Sequence, residues 1–74
     1  MSGSSVDRLV YMANQIGKFF ATQGEGEAIA GTADHIRKFW DPRMRANILD
    51  HAAKGGEGLD PVARKAVDQL RTMD

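Results

Sequence analysis

The sequence predicts an all-α fold, a small bundle of four short helices with short loops. Three observations carry that reading. Apolar residues recur at helical spacing, and no segment alternates with the period of a strand. Glycines cluster at Gly24 and Gly26 and again at Gly55, Gly56 and Gly58, where they punctuate the chain. Asp41-Pro42 and Asp60-Pro61 each join a helix-capping carboxylate to a proline suited to the first helical position. With 74 residues the chain makes one domain, 1–74, and residues 1–5 read as a flexible lead-in.

The first helix begins near Ser4 or Ser5. Ser at the cap and Asp7 in the first turn both suit a positive helix end. Leu9, Ala13, Ile16 and Phe20 form one line. Met12 and Phe19 lie on one flank of it, Val6, Val10 and Gly17 on the other. The apolar arc is then roughly 180° wide, where a surface helix needs about 100°. Asn14, Gln15 and Lys18 share the opposite face with Tyr11. The extra width has two readings: a helix central to its own bundle, or a flank that meets a second protein. Gly24, able to take the left-handed conformation, ends the helix.

Glu25 and Glu27 open the second helix, whose inner line is Ile29, Ala33, Ile36 and Trp40. Ala28, Ala30 and Ala33 allow close approach. Gly31 falls opposite Ile29 and Ala33, so a Gly17–Gly31 contact across a tight hairpin is not expected. A residue before proline avoids the helical region, so this helix stops by Trp40. The third helix runs from Pro42 to about Lys54, with Met44, Ile48 and Ala52 inside and Leu49 at the edge. Gly55 and Gly56 stop it, and Lys54 complements its negative end. The fourth helix follows Leu59-Asp60-Pro61. Val62, Ala63, Ala66, Leu70 and Met73 point inward, with Val67 at the edge.

Composition narrows the function classes. Ten basic and ten acidic residues cancel, whereas a free nucleic-acid binder usually carries a basic excess. Without Cys there are neither disulfides nor thiolate metal sites. No apolar run approaches the roughly 20 residues that span a bilayer. The first residues lack the basic-then-apolar pattern of a secretion leader. The expectation is a cytoplasmic protein with no membrane partner. A chain this short buries only about 60% of the surface it exposes when unfolded, which points weakly toward life inside a complex.

Local chemistry is sparse. His35 and His51 are the two histidines, one toward the polar side of the second helix and one near the C-terminal end of the third. Neither belongs to a His-Glu-x-x-His motif, so surface or structural roles outweigh a metal site. Gly55-Gly56-Glu57-Gly58 precedes a helix but lacks the Lys-Ser or Lys-Thr ending of a phosphate loop, and Glu57 would repel an anion. Asp60 already occupies the helix start that an anion would want. Asp34 and His35 are adjacent, and adjacent helical residues point in different directions. No Ser/His/acid set can be argued. The expectation is no catalytic residue, no bound cofactor and no metal.

The informative stretch is Phe39-Trp40-Asp41-Pro42-Arg43-Met44-Arg45, a corner between two amphipathic helices. It holds the single Trp, and Arg37, Lys38, Arg43 and Arg45 place four of the ten basic residues beside two aromatic rings. Aromatic rings stack on bases and Arg neutralises phosphate, so nucleic acid is one occupant. A protein interface fits better, because Trp and Arg dominate binding hot spots. The bland alternative is that Trp40 plugs the bundle and the Arg residues are a solvated face. Arg37, Phe39, Trp40, Arg43 and Arg45 are the first candidate anchor. Tyr11, Asn14 and Phe19 are a second candidate patch.

Three stretches resemble the small delta subunit of soluble, NAD-dependent formate dehydrogenases. They are Met12-Ala13-Asn14-Gln15-Ile16-Gly17 with Phe19-Phe20, His35-Ile36-Arg37-Lys38-Phe39-Trp40-Asp41-Pro42-Arg43-Met44-Arg45, and Gly55-Gly56-Glu57-Gly58-Leu59-Asp60-Pro61. The resemblance covers the chain from about Leu9 to Leu70, apart from the connection around Gly24. It implies an enzyme complex that oxidises formate to carbon dioxide and reduces NAD. It also implies a large catalytic subunit with a molybdenum or tungsten pterin and iron–sulfur clusters, and other subunits with FMN and further clusters. On that resemblance this chain is a cofactor-free, non-catalytic accessory subunit that binds the large subunit and stabilises or helps mature the complex. The alternative is a free-standing helical regulatory or nucleic-acid-binding protein.

Overall fold

The computed structural model describes residues 4–73. Helix α1 spans Ser4–Phe20 and runs into a single 3-10 turn, Ala21–Gln23. Helix α2 spans Glu25–Phe39, α3 Pro42–Ala53 and α4 Pro61–Thr72. There is no strand among the described residues. The fold class is therefore the one that periodicity predicts. Because α1 already includes Ser4, the residue that caps it lies outside the described residues.

The two Asp-Pro corners do different work. Asp41 is extended (φ −75°, ψ 167°), as the following Pro42 demands; Trp40 is extended too (φ −84°, ψ 142°), and its N–H closes α2 on the Ile36 carbonyl at 3.0 Å. The Asp41 carboxylate then accepts the Met44 N–H at 2.9 Å and caps α3. Asp60 was expected to do the same for α4 and does not, since its side chain makes no capping bond. Its own backbone N–H donates to Asn14 Oδ1 instead. Gly24 also departs from expectation. At φ 101° and ψ 154° it is extended with positive φ, a region for glycine alone, and not left-handed helical.

Helix α2 packs chiefly on α4 and α1, while α3 closes the bundle against α1 and α4. One apolar core results. It is built from Leu9 and Ala13 of α1, Ile36 and Trp40 of α2, Ile48 of α3, Leu59 before α4, and Ala63, Val67 and Leu70 within it. Several predicted orientations shift by one helical position. Val67 is fully buried, whereas Met73 lies outside. Ala28 and Ala33 permit close helix contact as predicted, but Ala30 is exposed and Thr32 is buried in its place. The Thr32 hydroxyl has no hydrogen-bond partner among the described residues. Small residues crowd this seam because α4 approaches closely there.

The segment between α3 and α4 is held by side chains from three helices. Asn14 Nδ2 donates to the Gly58 carbonyl at 2.9 Å, and Asn14 Oδ1 accepts the Asp60 N–H at 2.9 Å. The amide thus uses both ends, which fixes its orientation. His51 Nε2 donates to the Glu57 carbonyl at 2.8 Å, since a carbonyl can only accept. Arg64 Nη1 and Nη2 donate to the carbonyls of Gly55 and Gly56 at 2.8 and 3.2 Å. Gly55, Gly56 and Gly58 have φ of 121°, 64° and 89°, so the turn is open only to glycine at three places.

Trp40 is 4% exposed. Burying some 200 Å² of ring at about 25 cal/mol per Å² is worth about 5 kcal/mol. Trp40→Ala should accordingly cost about 3–5 kcal/mol, read by chemical denaturation. An unchanged denaturation midpoint would contradict the burial. Asn14→Ala leaves the Gly58 carbonyl and the Asp60 N–H without their partner and should cost about 1–3 kcal/mol. Hydrogen exchange at Asp60 should accelerate more than exchange in the middle of α2.

Candidate functional site

Two large apolar side chains that a lone bundle would hide are exposed on one side of α1 and α2. Phe19 is 71% and Phe39 72% exposed, and Tyr11, further along α1, is 64% exposed. They are linked by half-buried neighbours. The Phe19 and Phe20 rings meet edge to face with centroids 5.1 Å apart. The His35 and Phe39 rings, one turn apart on α2, tilt together at 4.7 Å. Between the two pairs lies a groove of about 260 Å³ lined by Gln15, Ile16, Phe19, Phe20 and His35. Tyr11 precedes Gln15 by four residues and Phe19 by eight, so it stands on the same face of α1.

Gly31 determines the shape of this groove. A Cβ there would lie 2.9 Å from Phe20 Cδ1 and 3.1 Å from two further ring atoms. Gly31 therefore faces the end of α1, not away from it as its helical position suggests. Only a missing side chain lets the Phe20 ring lie against α2. The expected absence of a Gly17–Gly31 contact agrees with this placement, since Gly17 faces Val62 and Ala63 of α4. A second shallow groove of about 290 Å³ runs along that seam between Asn14, Gly17, Lys18 and the first turn of α4.

The candidate anchor residues separate into two groups. Trp40 is core, so its ring is not offered to a partner. Arg45 folds back, with Nη1 donating to the Trp40 carbonyl at 2.6 Å and to the Arg37 carbonyl at 3.3 Å. It satisfies the carbonyl end of α2, where cations are favoured. Asn14 likewise turns inward to the Gly58–Asp60 turn. The remaining members of the two patches are exposed. Arg37 and Lys38 reach Asp34 at 3.6 and 3.2 Å along the same helix. Arg43 is exposed and pairs with no carboxylate among the described residues. Phe39 lies against His35, on a different face of α2 from the Asp34–Arg37 pair, and Tyr11 and Phe19 lie along α1.

Sequence reasoning missed Phe20, Gly31 and His35. The four-residue spacing of His35 and Phe39 was the available signal, because such pairs meet on a helix. Phe20 was placed on the inner line of α1, but its helix ends there and the bundle does not close over it. Among the described residues no group of three or more His, Asp or Glu side chains is arranged to hold a metal ion. No described helix is long and apolar enough to cross a membrane.

Gly31→Ala tests the groove directly. The helices should persist, while the ring-current shifts of Phe19, Phe20 and His35 change as Phe20 is displaced. Unaltered aromatic resonances would show that the ring does not rest on Gly31.

No curated protein and no solved structure matches the chain. The sequence profile of FdsD, described as the NADH-dependent formate dehydrogenase delta subunit, matches residues 8–67 of the 74. That span takes in all four helices except the first residues of α1 and the last turn of α4, together with both Asp-Pro corners and the groove. The chain belongs to the NADH-dependent formate dehydrogenase delta subunit family.

Proposed function

We propose that the chain is a non-catalytic accessory subunit of a cytoplasmic formate dehydrogenase complex, one that converts formate and NAD to carbon dioxide and NADH. It carries no cofactor of its own. Its role is to bind the large catalytic subunit, which holds the pterin and iron–sulfur groups, and to stabilise or help mature the assembly. Family membership supports the assignment to this complex. The observation that carries the binding role is the aromatic strip in which exposed Phe19 and Phe39 lie against half-buried Phe20 and His35. Two phenyl rings left largely in water on a chain of 74 residues are a cost that a partner surface removes.

The strip is separable from the core, which makes the role testable. Phe19→Ser and Phe39→Ser replace exposed rings, so each should change stability by no more than about 0.5 kcal/mol. Together they should lower recovery of the catalytic subunit with the tagged chain by about tenfold, with helical circular dichroism retained. Native-level recovery by the folded double variant would remove the strip from the interface. Failure of the native chain to recover any formate dehydrogenase subunit, at low salt as well as high, would remove the accessory role.

A further inference from the structure

The two Asp-Pro corners share more than their first two residues. Asp41-Pro42-Arg43-Met44-Arg45 and Asp60-Pro61-Val62-Ala63-Arg64 both read Asp-Pro-x-x-Arg. The carboxylate is not what unites them, because Asp41 caps its helix and Asp60 does not. The arginine is. Pro42 opens α3 and Pro61 opens α4, so Arg45 and Arg64 are each the fourth residue of their helix. Each guanidinium reaches back over its corner to two carbonyls of the preceding chain. Arg45 Nη1 donates to the Trp40 and Arg37 carbonyls at 2.6 and 3.3 Å. Arg64 donates to those of Gly55 and Gly56 at 2.8 and 3.2 Å.

A helix leaves its last four carbonyls without helical donors. At the end of α2, Ile36 is served by the Trp40 N–H, but Pro42 has no N–H to give Lys38. Arg45 is the one described side chain that bonds carbonyls there. Those two carbonyls bracket Phe39, the last residue of α2. The Phe39 ring rests on His35 one turn earlier, with centroids 4.7 Å apart. That contact needs a helical last turn, because side chains four apart meet on a helix. Helix ends fray, and Phe39, 72% exposed, has no core packing to hold it. Arg64 bears less alone, since Asn14 and His51 also bond the turn before α4.

We propose that Arg45 is a positioning residue for partner binding. It keeps the last turn of α2 closed and so fixes the direction in which Phe39 is presented, while its own bonds point inward to the backbone. This rests on the accessory-subunit reading, in which Phe39 belongs to the bound surface. Arg64 occupies the same place in the same motif but touches no part of the aromatic strip. It holds the turn before α4 and has no bearing on the ring.

The experiment compares Arg45→Ala with Arg64→Ala in the full chain, first alone and then with the dehydrogenase subunits. In the isotope-labelled chain, Arg45→Ala should shift the ring resonances of His35 and Phe39 and speed amide exchange at Trp40, with the Trp40 indole signal in place. Arg64→Ala should leave those signals native and move the ones from Gly55 to Asp60. With a tagged chain, Arg45→Ala should recover about tenfold less catalytic subunit than the native chain. That is the loss expected if about one molecule in ten still presents the ring correctly. Arg64→Ala should recover native amounts. Unshifted His35 and Phe39 rings in Arg45→Ala would overturn the positioning, as would equal losses of recovery in the two variants. Should Arg45→Ala not fold, the native chain decides: Arg45 Nη protons should exchange more slowly than those of exposed Arg43, and equal exchange would overturn the proposal. The two readings fail separately. A native chain that recovers no dehydrogenase subunit loses the accessory role, while shifted rings in Arg45→Ala would still support Arg45 as the residue that holds Phe39. Native recovery by Arg45→Ala would overturn the positioning and leave the role intact.

Discussion

The structure turns on the peptide unit between Phe39 and Trp40. Pro42 keeps Asp41, the residue before it, out of the helical region, so α2 ends ahead of it and the backbone is already extended at Trp40. Two adjacent aromatic side chains are thereby sent in opposite directions. Trp40 enters the core with Ile36, Ile48 and Leu70, while Phe39 stays in water. One ring holds the bundle together and the other is offered outward. Arg45 secures the arrangement by donating to the Trp40 carbonyl, which the end of α2 leaves without a helical partner. A Trp40 that faced outward would leave a cavity in that core.

The turn before α4 solves a related problem with polar groups. A glycine-rich segment loses much conformational freedom on ordering. Asn14, His51 and Arg64 offset that loss with hydrogen bonds to its carbonyls and to the Asp60 N–H. Asn14 lies on α1, more than forty residues away in sequence, so this bond pair also joins the two ends of the chain. The core is small, with alanine at five of its buried helical positions. Directional bonds at the turn set the position of α4 where bulk alone would let it slide.

The proposed role follows from how these solutions divide the surface. The polar clasps and the tryptophan lie on the inward side of each element. The exposed rings collect along α1 and the last turn of α2. A helical frame of this kind presents its groove ready-made, so little ordering cost is left to the moment of binding. That suits a subunit whose contribution is a surface, with the chemistry supplied by its neighbours.

By itself the sequence determined the fold class, the order of the helices and their ends to within a residue or two. Periodicity, the Asp-Pro pairs and the glycine clusters are local signals, and helix formation is a local event. It also carried the likeness that the family profile bears out. What only the tertiary structure decided is which residues on a given face meet another part of the chain. Trp40 and Phe39 sit beyond or at the last helical turn, where periodicity no longer assigns a direction. Asn14 and Arg45 read as surface polar residues because their carbonyl partners are invisible on a helical wheel. Phe20, Gly31 and His35 became a groove through the angle at which α1 leaves α2. That angle is set by the packing of α4 against both and by the positive φ at Gly24. A helical repeat specifies rotation about one axis. It says nothing of how two axes are placed.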